Sequence, residues 1–425
     1  MTFKSWAKLW ADGGVSLARA LLLAVVVMML MATTWAGLIE GAAYLFCISV
    51  PAVRRRWLGV VFRHPVVIAS VPFAIVILVA TFYGPASWHE SLAALVGWRR
   101  LLMLSLAIAV FTDAPSKRLA LNVIVATCVF GALVSFVTFA GSISLTARLD
   151  PGIAFHNYAT QGITLSVGAI ICMAALLRPA DFAGDRILGN RWVMAVILAI
   201  LVVDIVFVLW GRTGYLALIV MAVALALLLA PGTWRTRLLT ASGIAVCCAA
   251  LLSASPHVRT RTAQAWSEIV TVDQAPEGTP IGTRVVMWRN TLRLIADHPI
   301  FGVGNGGFQP AYRTYVQGVS GWRGNETGDP HNQYLKILGE FGVVGLAAFL
   351  LFLYAAFRYP APTPYRELAT AALVGWCVTS LANSDFSTHV EGRLIFFWLG
   401  AMLGDGAVIR RSDERPASQK TAAGG

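Results

Sequence analysis

Long apolar runs separated by short polar stretches organise this chain. The runs approach the roughly 20 residues that an α-helix needs to cross a bilayer. Twelve spans are predicted, at 16–32, 35–52, 66–83, 99–112, 119–140, 158–177, 192–209, 214–230, 237–254, 334–357, 367–383 and 393–409. The fourth is short, and a very tight turn separates the first two. The fold class predicted is an all-α polytopic membrane protein with one large outer helical loop. Spans one to nine fill 1–254, the loop fills 255–333, spans ten to twelve fill 334–409, and a tail follows at 410–425. No small-residue cleavage site follows the first run, so it reads as a span and not as a removable signal peptide.

The outer loop has a pattern of its own. From Thr283 to Asp297, Val285, Trp288, Leu292 and Ile295 recur at helical spacing with Arg284, Arg289 and Arg293 beside them. That predicts an amphipathic helix lying on the membrane over the bundle. His298-Pro299 stops it. Gly302-Val303-Gly304-Asn305-Gly306-Gly307 reads as a flexible turn with a weak phosphate-cradle spacing, and no strand precedes it to make a dinucleotide fold.

Composition agrees with the pattern. The chain is 57% hydrophobic and 13% charged, where a soluble domain carries about 25% charged residues. Lys and Arg set the orientation. With the N-terminus in the cytoplasm, the inner loops collect most of the basic residues, and the short outer loops hold only Arg99, Arg100, Arg148, Arg212 and Arg393. The net charge of +12 is thus largely topological and implies no nucleic acid. The six cysteines fall inside spans without metal-ligand spacing, and they read as packing residues.

Candidate chemistry gathers on the predicted outer face. In Asp329-Pro330-His331-Asn332, Asp329 is expected to cap the tenth span with Pro330 in its first turn. His331 and Asn332 would then stand at a helix N-terminus that favours an anion. Arg212 sits in a tight turn between glycines. Snorkelling to the headgroups is its bland explanation, but the glycines would let a ligand approach and arginine is disfavoured on this face. Lys336 and Glu340 are spaced to neutralise each other. His156 reads as a helix-capping or interfacial residue. Glu40, at membrane depth, reads equally as an internal hydrogen bond or as a cavity group. The loop 383–393 is dense in ionisable groups, including Asp385 and His389.

If Arg212, Arg284, His331, Asp385 and His389 converge, the arginines offer bidentate charge for a diphosphate. The histidine offers a base near neutral pH, and a carboxylate could orient it. No Asp-X-Asp pair or His/Asp/Glu cluster suggests a divalent metal. The implied chemistry is displacement of a diphosphate by a hydroxyl.

These residues resemble the bacterial O-antigen ligases, in the superfamily that also holds O-antigen polymerases and pilin-type O-oligosaccharyltransferases. The matching pieces are the 331–346 run from His331-Asn332 to Gly345-Leu346, Arg284-X-X-X-Trp288, the His-Pro-X-X-Gly-X-Gly run at 298–304, and the Gly-Arg-Thr-Gly turn at 211–214. The resemblance implies a metal-independent, inverting glycosyltransferase of the GT-C type in the bacterial inner membrane, without cofactor. Both termini would be cytoplasmic and the active site periplasmic. The donor would be O-antigen on undecaprenyl diphosphate and the acceptor a sugar hydroxyl of lipid A–core, in a bilayer of membrane lipids. His331 would be the base and Arg212, Arg284 and Arg289 the diphosphate ligands, with Asp385, His389 and Asn332 in support. The modest 141–157 loop argues against a polymerase, and the short segment after span twelve argues against a pilin-type transferase. A polymerase using a second undecaprenyl-linked glycan is the alternative. A glycolipid transporter is more distant, since polar groups gather at one face and no internal repeat appears.

Overall fold

The structure, a computed structural model, describes residues 3–31, 33–145, 150–271 and 278–406. The 410–425 tail and Arg148 lie outside the described residues. The described chain is helical, in the order α1 (Phe3–Met31), α2 (Thr33–Ser49), α3 (Pro51–Arg63), α4 (Pro65–Ala80), α5 (Trp88–Gly97), α6 (Arg100–Val110), α7 (Ala114–Ala140), α8 (Tyr158–Leu177) and α9 (Arg191–Val203). A π-helical turn at Asp204–Val208 extends α9. There follow α10 (Arg212–Leu229), α11 (Trp234–Ala254), α12 (Pro256–Val270), α13 (Pro280–Asp297), α14 (Phe308–Val316), α15 (Gln333–Arg358), α16 (Tyr365–Thr379) and α17 (Glu391–Leu403).

The architecture is all-α and polytopic. Among the described residues eight helices are long and apolar enough to cross a membrane, or nine if a pair bent by 93° counts as one. That pair is α2 and α3. The predicted second span ends where Pro51 starts a new helix, because proline suits a first turn but offers no N–H to continue the old one. The fourth predicted span continues α5 and α6 as a single stretch, Trp88–Val110. Of the remaining predicted spans, α4, α16 and α17 are apolar but shorter, at 16, 15 and 13 residues.

Burial ranks the helices. α8 lies at the centre, with 89% of its membrane window buried, while α11 lies at the edge with 6%. α10 packs against α8, α16 and α11. Its approach to α8 depends on Gly162 and Gly214, where a Cβ on either would lie within 3 Å of the other's Cα. Small residues permit such contact between spanning helices. The glycine beside Arg212 is therefore a packing device, which corrects the expectation of room for a ligand.

α15 is broken. At Gly342 the backbone turns to φ 62°, ψ −164°, which frees groups on both sides of the break. The 299–304 segment threads through it. Val303 and Gly304 donate to the carbonyls of Gly339 and Glu340, while Val343 and Val344 donate to those of Pro299 and Ile300. Asn305 then donates to the carbonyl of Ala80 at the end of α4. The glycine run is thus a packed seam and not a flexible phosphate cradle.

α13 packs on the outer half of α15 and on α14 and α12. Its buried face is Gly282, Asn290, Thr291 and Leu294. Leu292, in the predicted apolar stripe, is 54% exposed. The polar Asn290 and Thr291 are buried with partners: the Asn290 amide donates to Tyr312 and the Thr291 hydroxyl to the Met287 carbonyl.

The break makes a prediction. A Cβ at Gly342 would sit 2.1 Å from the Ile300 carbonyl oxygen, at a positive φ. Gly342→Ala is expected to destabilise the purified protein by about 2 kcal/mol or more, read by thermal unfolding in detergent. Gly184→Ala, also at positive φ but facing open space, should cost about 1 kcal/mol. Equal small losses at both would remove the seam's packing role.

Candidate active site

The segment before α15 is built around Asp329. Its Oδ1 accepts from the His331 N–H at 2.8 Å and the Ser384 hydroxyl at 2.6 Å, and its Oδ2 faces Lys336 Nζ at 3.3 Å. Asp329 does not cap the helix. Asn332 does, accepting from the N–H groups of Tyr334 and Leu335, while the Gln333 N–H is taken by the carbonyls of Ser380 and Asn383. The first turn therefore has no free donors there, and an anion at this point must be held by side chains. Lys336 pairs with Asp329 and not with Glu340.

This arrangement puts His331 at φ 51°, a left-handed conformation rare outside glycine. It costs about 1 kcal/mol, offset by the Asp329 bond to the His331 N–H and by Trp288, whose indole donates to the Pro330 carbonyl at 2.9 Å. Arg284 stands one turn before Trp288 on α13, on the same face. The Arg-X-X-X-Trp pattern is thus a clamp on the histidine turn with a guanidinium above it. Among the described residues no hydrogen-bond partner engages the imidazole, so both ring nitrogens are available to a substrate.

His331 is exposed at a cavity of about 420 Å³ that Asp329, Lys336, Asp385, His389 and His156 also line. Burial and the nearby Arg284 and Lys336 hold the imidazole below its usual range, against the pull of Asp329. Asp329 itself is held low, because Lys336, Ser384 and the His331 N–H together outweigh its burial. Asp385 goes the other way. It is 2% exposed, Oδ2 has no partner, and burial with Glu391 and Asp329 nearby pushes it up to about 7, against Thr379 and Arg284.

Arg212 and Arg284 lie beside this cavity. Arg284 is depressed by burial and by the charge of Arg212, with Glu268 and Asp385 acting against that. Glu268 reaches Arg212 at 3.7 Å and accepts from the Ile281 N–H at the start of α13. Two guanidiniums with one carboxylate between them keep a net positive charge. Arg289 lies about 140° round α13 from Arg284; none of the three arginines is among the cavity-lining residues, but Arg284 is close enough to act on His331 and Asp385. His156 does not cap α8, since Asn157 does. It lines the cavity instead. Glu40 proves to be buried between Arg99 and Arg393, at 2.8 and 2.9 Å.

Sequence reasoning missed Ser384, Glu268 and this pairing. The signal for Arg99 and Arg393 was available, since both are arginines on the face where arginine is disfavoured, which was the argument made for Arg212. Among the described residues no three His, Cys, Asp or Glu side chains are grouped to hold a metal ion.

Residues 197–350 match the family model described as O-antigen ligase. That stretch is similar to the O-antigen ligase family. The matched stretch contains Arg212, Arg284, Trp288, His331 and the α15 break, and it ends before Asp385 and His389. An uncharacterized protein of Haemophilus influenzae is 28% identical over 147 residues, covering 31% of this chain and 36% of that protein. The chain thus spans about a third of the curated relative it matches. The apolar helices describe a multi-pass membrane protein.

Asp385 gives the site a pH signature. Its folded pKa lies above the ordinary 3.8, so the neutral carboxyl adds stability in full below that value, and the contribution is lost as pH rises to about 7. Asp385→Asn is expected to flatten the fall in unfolding temperature between about pH 4 and pH 7, the interval those two values span. An unchanged pH profile in that variant would show that Asp385 is ionised in the folded protein.

Proposed function

We propose that the protein transfers a glycan from undecaprenyl diphosphate to a sugar hydroxyl of lipid A–core on the periplasmic side of the inner membrane. The observation that carries this reading is His331, held in a strained turn at a cavity mouth, with its ring unengaged and Arg284 and Lys336 close enough to act on it. His331 takes the proton of the acceptor hydroxyl as that oxygen attacks the anomeric carbon. The bond from that carbon to the diphosphate oxygen breaks, and the configuration inverts. Arg212 and Arg284 stabilise the charge that develops on the departing diphosphate, where fixed donors act most strongly. Asp385, about half protonated near pH 7, can in its neutral form donate a hydrogen bond to a substrate hydroxyl.

The test is a reconstituted assay with purified protein, undecaprenyl-diphosphate glycan, lipid A–core, chelator and no added metal. A product ladder on lipid A–core that survives chelation is expected. Longer undecaprenyl-linked chains with untouched lipid A–core would make the protein a polymerase, and no covalent product from an active donor would favour a transporter.

Two substitutions probe the roles. His331→Ala should lower transfer by about 10²–10⁴-fold while expression and membrane insertion persist. Near-normal activity in that variant would remove His331 from the chemistry. Arg212→Lys should be impaired although the charge is kept, because the forked geometry is lost. Full turnover there would reduce Arg212 to an interfacial charge.

A further inference from the structure

A second basic cavity adjoins the first. It measures about 280 Å³ and is walled by Arg99, Arg393, His156 and His389, with Gly37 and Met29 closing the side toward α1 and α2. His156 and His389 line both cavities, so the two are neighbours across these rings. None of the helices that carry Arg212, Arg284 or Glu268 contributes to this one.

Glu40, fully buried, anchors its charges. One carboxylate oxygen accepts from Tyr44, and the other accepts from Arg99 Nε at 2.8 Å and faces Nη2 of Arg99 and of Arg393 at 2.8 and 2.9 Å. A single guanidinium would neutralise Glu40. The second leaves an excess positive charge held rigidly in a place where burying charge is costly. Arg393 is 7% exposed and its Nε is buried without a partner, while its Nη1 donates to the His389 carbonyl at 2.5 Å and lies 3.3 Å from His389 Nδ1. That contact makes Nδ1 the acceptor and leaves the Nε2–H of His389 as a donor. The arrangement resembles the one on the other side, where Glu268 pairs with Arg212 and acts at longer range on Arg284. Each is two arginines against one glutamate.

The surroundings bear on the occupant. On α2, Trp35 and Leu38 are 62% and 68% exposed, as expected of a lipid-facing flank. An anion reaching this cavity along that flank would be carried on a lipid.

We propose that the Arg99–Arg393 cavity is a second anion site that takes a phosphate of the acceptor glycolipid. The inference rests on the transferase reading above. The two anionic substrates would bind at separate basic poles, one diphosphate at Arg212 and Arg284 and one acceptor phosphate at Arg99 and Arg393, with His331 at the cavity between them.

Two measurements test it. The first needs no transfer activity, and uses inorganic phosphate as the probe in the Arg212→Gln/Arg284→Gln protein. Phosphate is expected to raise the unfolding temperature of that double variant, and Arg393→Gln added to it should abolish the rise. No phosphate effect in the double variant would overturn the site, whatever the enzyme proves to transfer. The second is kinetic. Arg393→Gln leaves Glu40 paired with Arg99, and it should raise the acceptor KM about tenfold while the donor KM moves less than about twofold. Enzymatic removal of the acceptor phosphates should raise the wild-type KM similarly and add little in the variant. Glu40→Gln supplies the opposite sign, since it frees positive charge and should lower the acceptor KM, whereas a purely structural staple would weaken. The KM that moves, for lipid A–core or for a second undecaprenyl-linked glycan, identifies the source of the phosphate. Phosphate binding with neither KM affected would assign the cavity to bilayer phospholipid and overturn the acceptor role.

Discussion

The break in α15 is the constraint on which the site depends. A helix interrupted at membrane depth exposes carbonyls and N–H groups that hydrocarbon cannot satisfy, at a cost of several kcal/mol each. The 299–304 segment supplies partners to both sides of Gly342, and Asn305 extends the seam to α4. The outer half of α15 is thereby fixed against α4 and against the chain leaving α13. Trp288 on α13 then reaches the Pro330 carbonyl. Without the seam, α13 and the start of α15 would lose the backbone bonds that reinforce their direct packing, and the strained turn at His331 would be less firmly held. Both glycine-containing motifs, at 298–304 and 339–345, are two sides of one joint.

Electrostatics divides the groups this joint assembles. Asp329 makes several hydrogen bonds and remains ionised, which holds the turn. Asp385 is buried without enough donors and stays neutral to about pH 7. His331 is kept neutral by burial and by nearby cations. The acidic and basic forms needed for proton transfer to and from hydroxyls therefore coexist near neutral pH, because neighbours push the groups apart.

How much of this was legible in the sequence follows from range. Helices were readable because hydropathy and period are local properties, and the spans fall on helices throughout the described chain. The start of α15 was misplaced because Asp329 and Asn332 are both eligible caps, and Pro330 favoured the first. Only the tertiary contact to Ser384 and the left-handed turn at His331 select the second. The glycines at 211–214 and 302–307 were misread for a related reason. A glycine shows that something comes close, but the sequence does not say whether it is a ligand or another backbone; here it is α8 and α15. Lys336 chose Asp329 over Glu340 because a long-range turn brought the better partner within reach. The convergence of Arg99 and Arg393 on Glu40 joins α2, the α5–α6 junction and α17, a separation no motif spans.

The donor set bears on how charge is neutralised. A divalent cation at the His331 cavity would need carboxylate oxygens, and Asp329, Asp385 and Glu391 line it. Asp329 has both oxygens engaged, by Ser384, the His331 N–H and Lys336, so metal binding there would unpair a lysine and release the turn. Asp385 would have to ionise in a buried position first. Guanidiniums avoid both costs, since Arg284 and Arg212 are already charged and their forked donors match diphosphate oxygens. On the proposed reading, an arginine pair would also need a way to relieve its own repulsion once the diphosphate has left. Glu268 provides that at 3.7 Å from Arg212, close enough to moderate the pair and too far to satisfy it. On the transferase reading proposed above, a departing diphosphate would be exchanged for this weaker internal partner, which would favour release and a new donor.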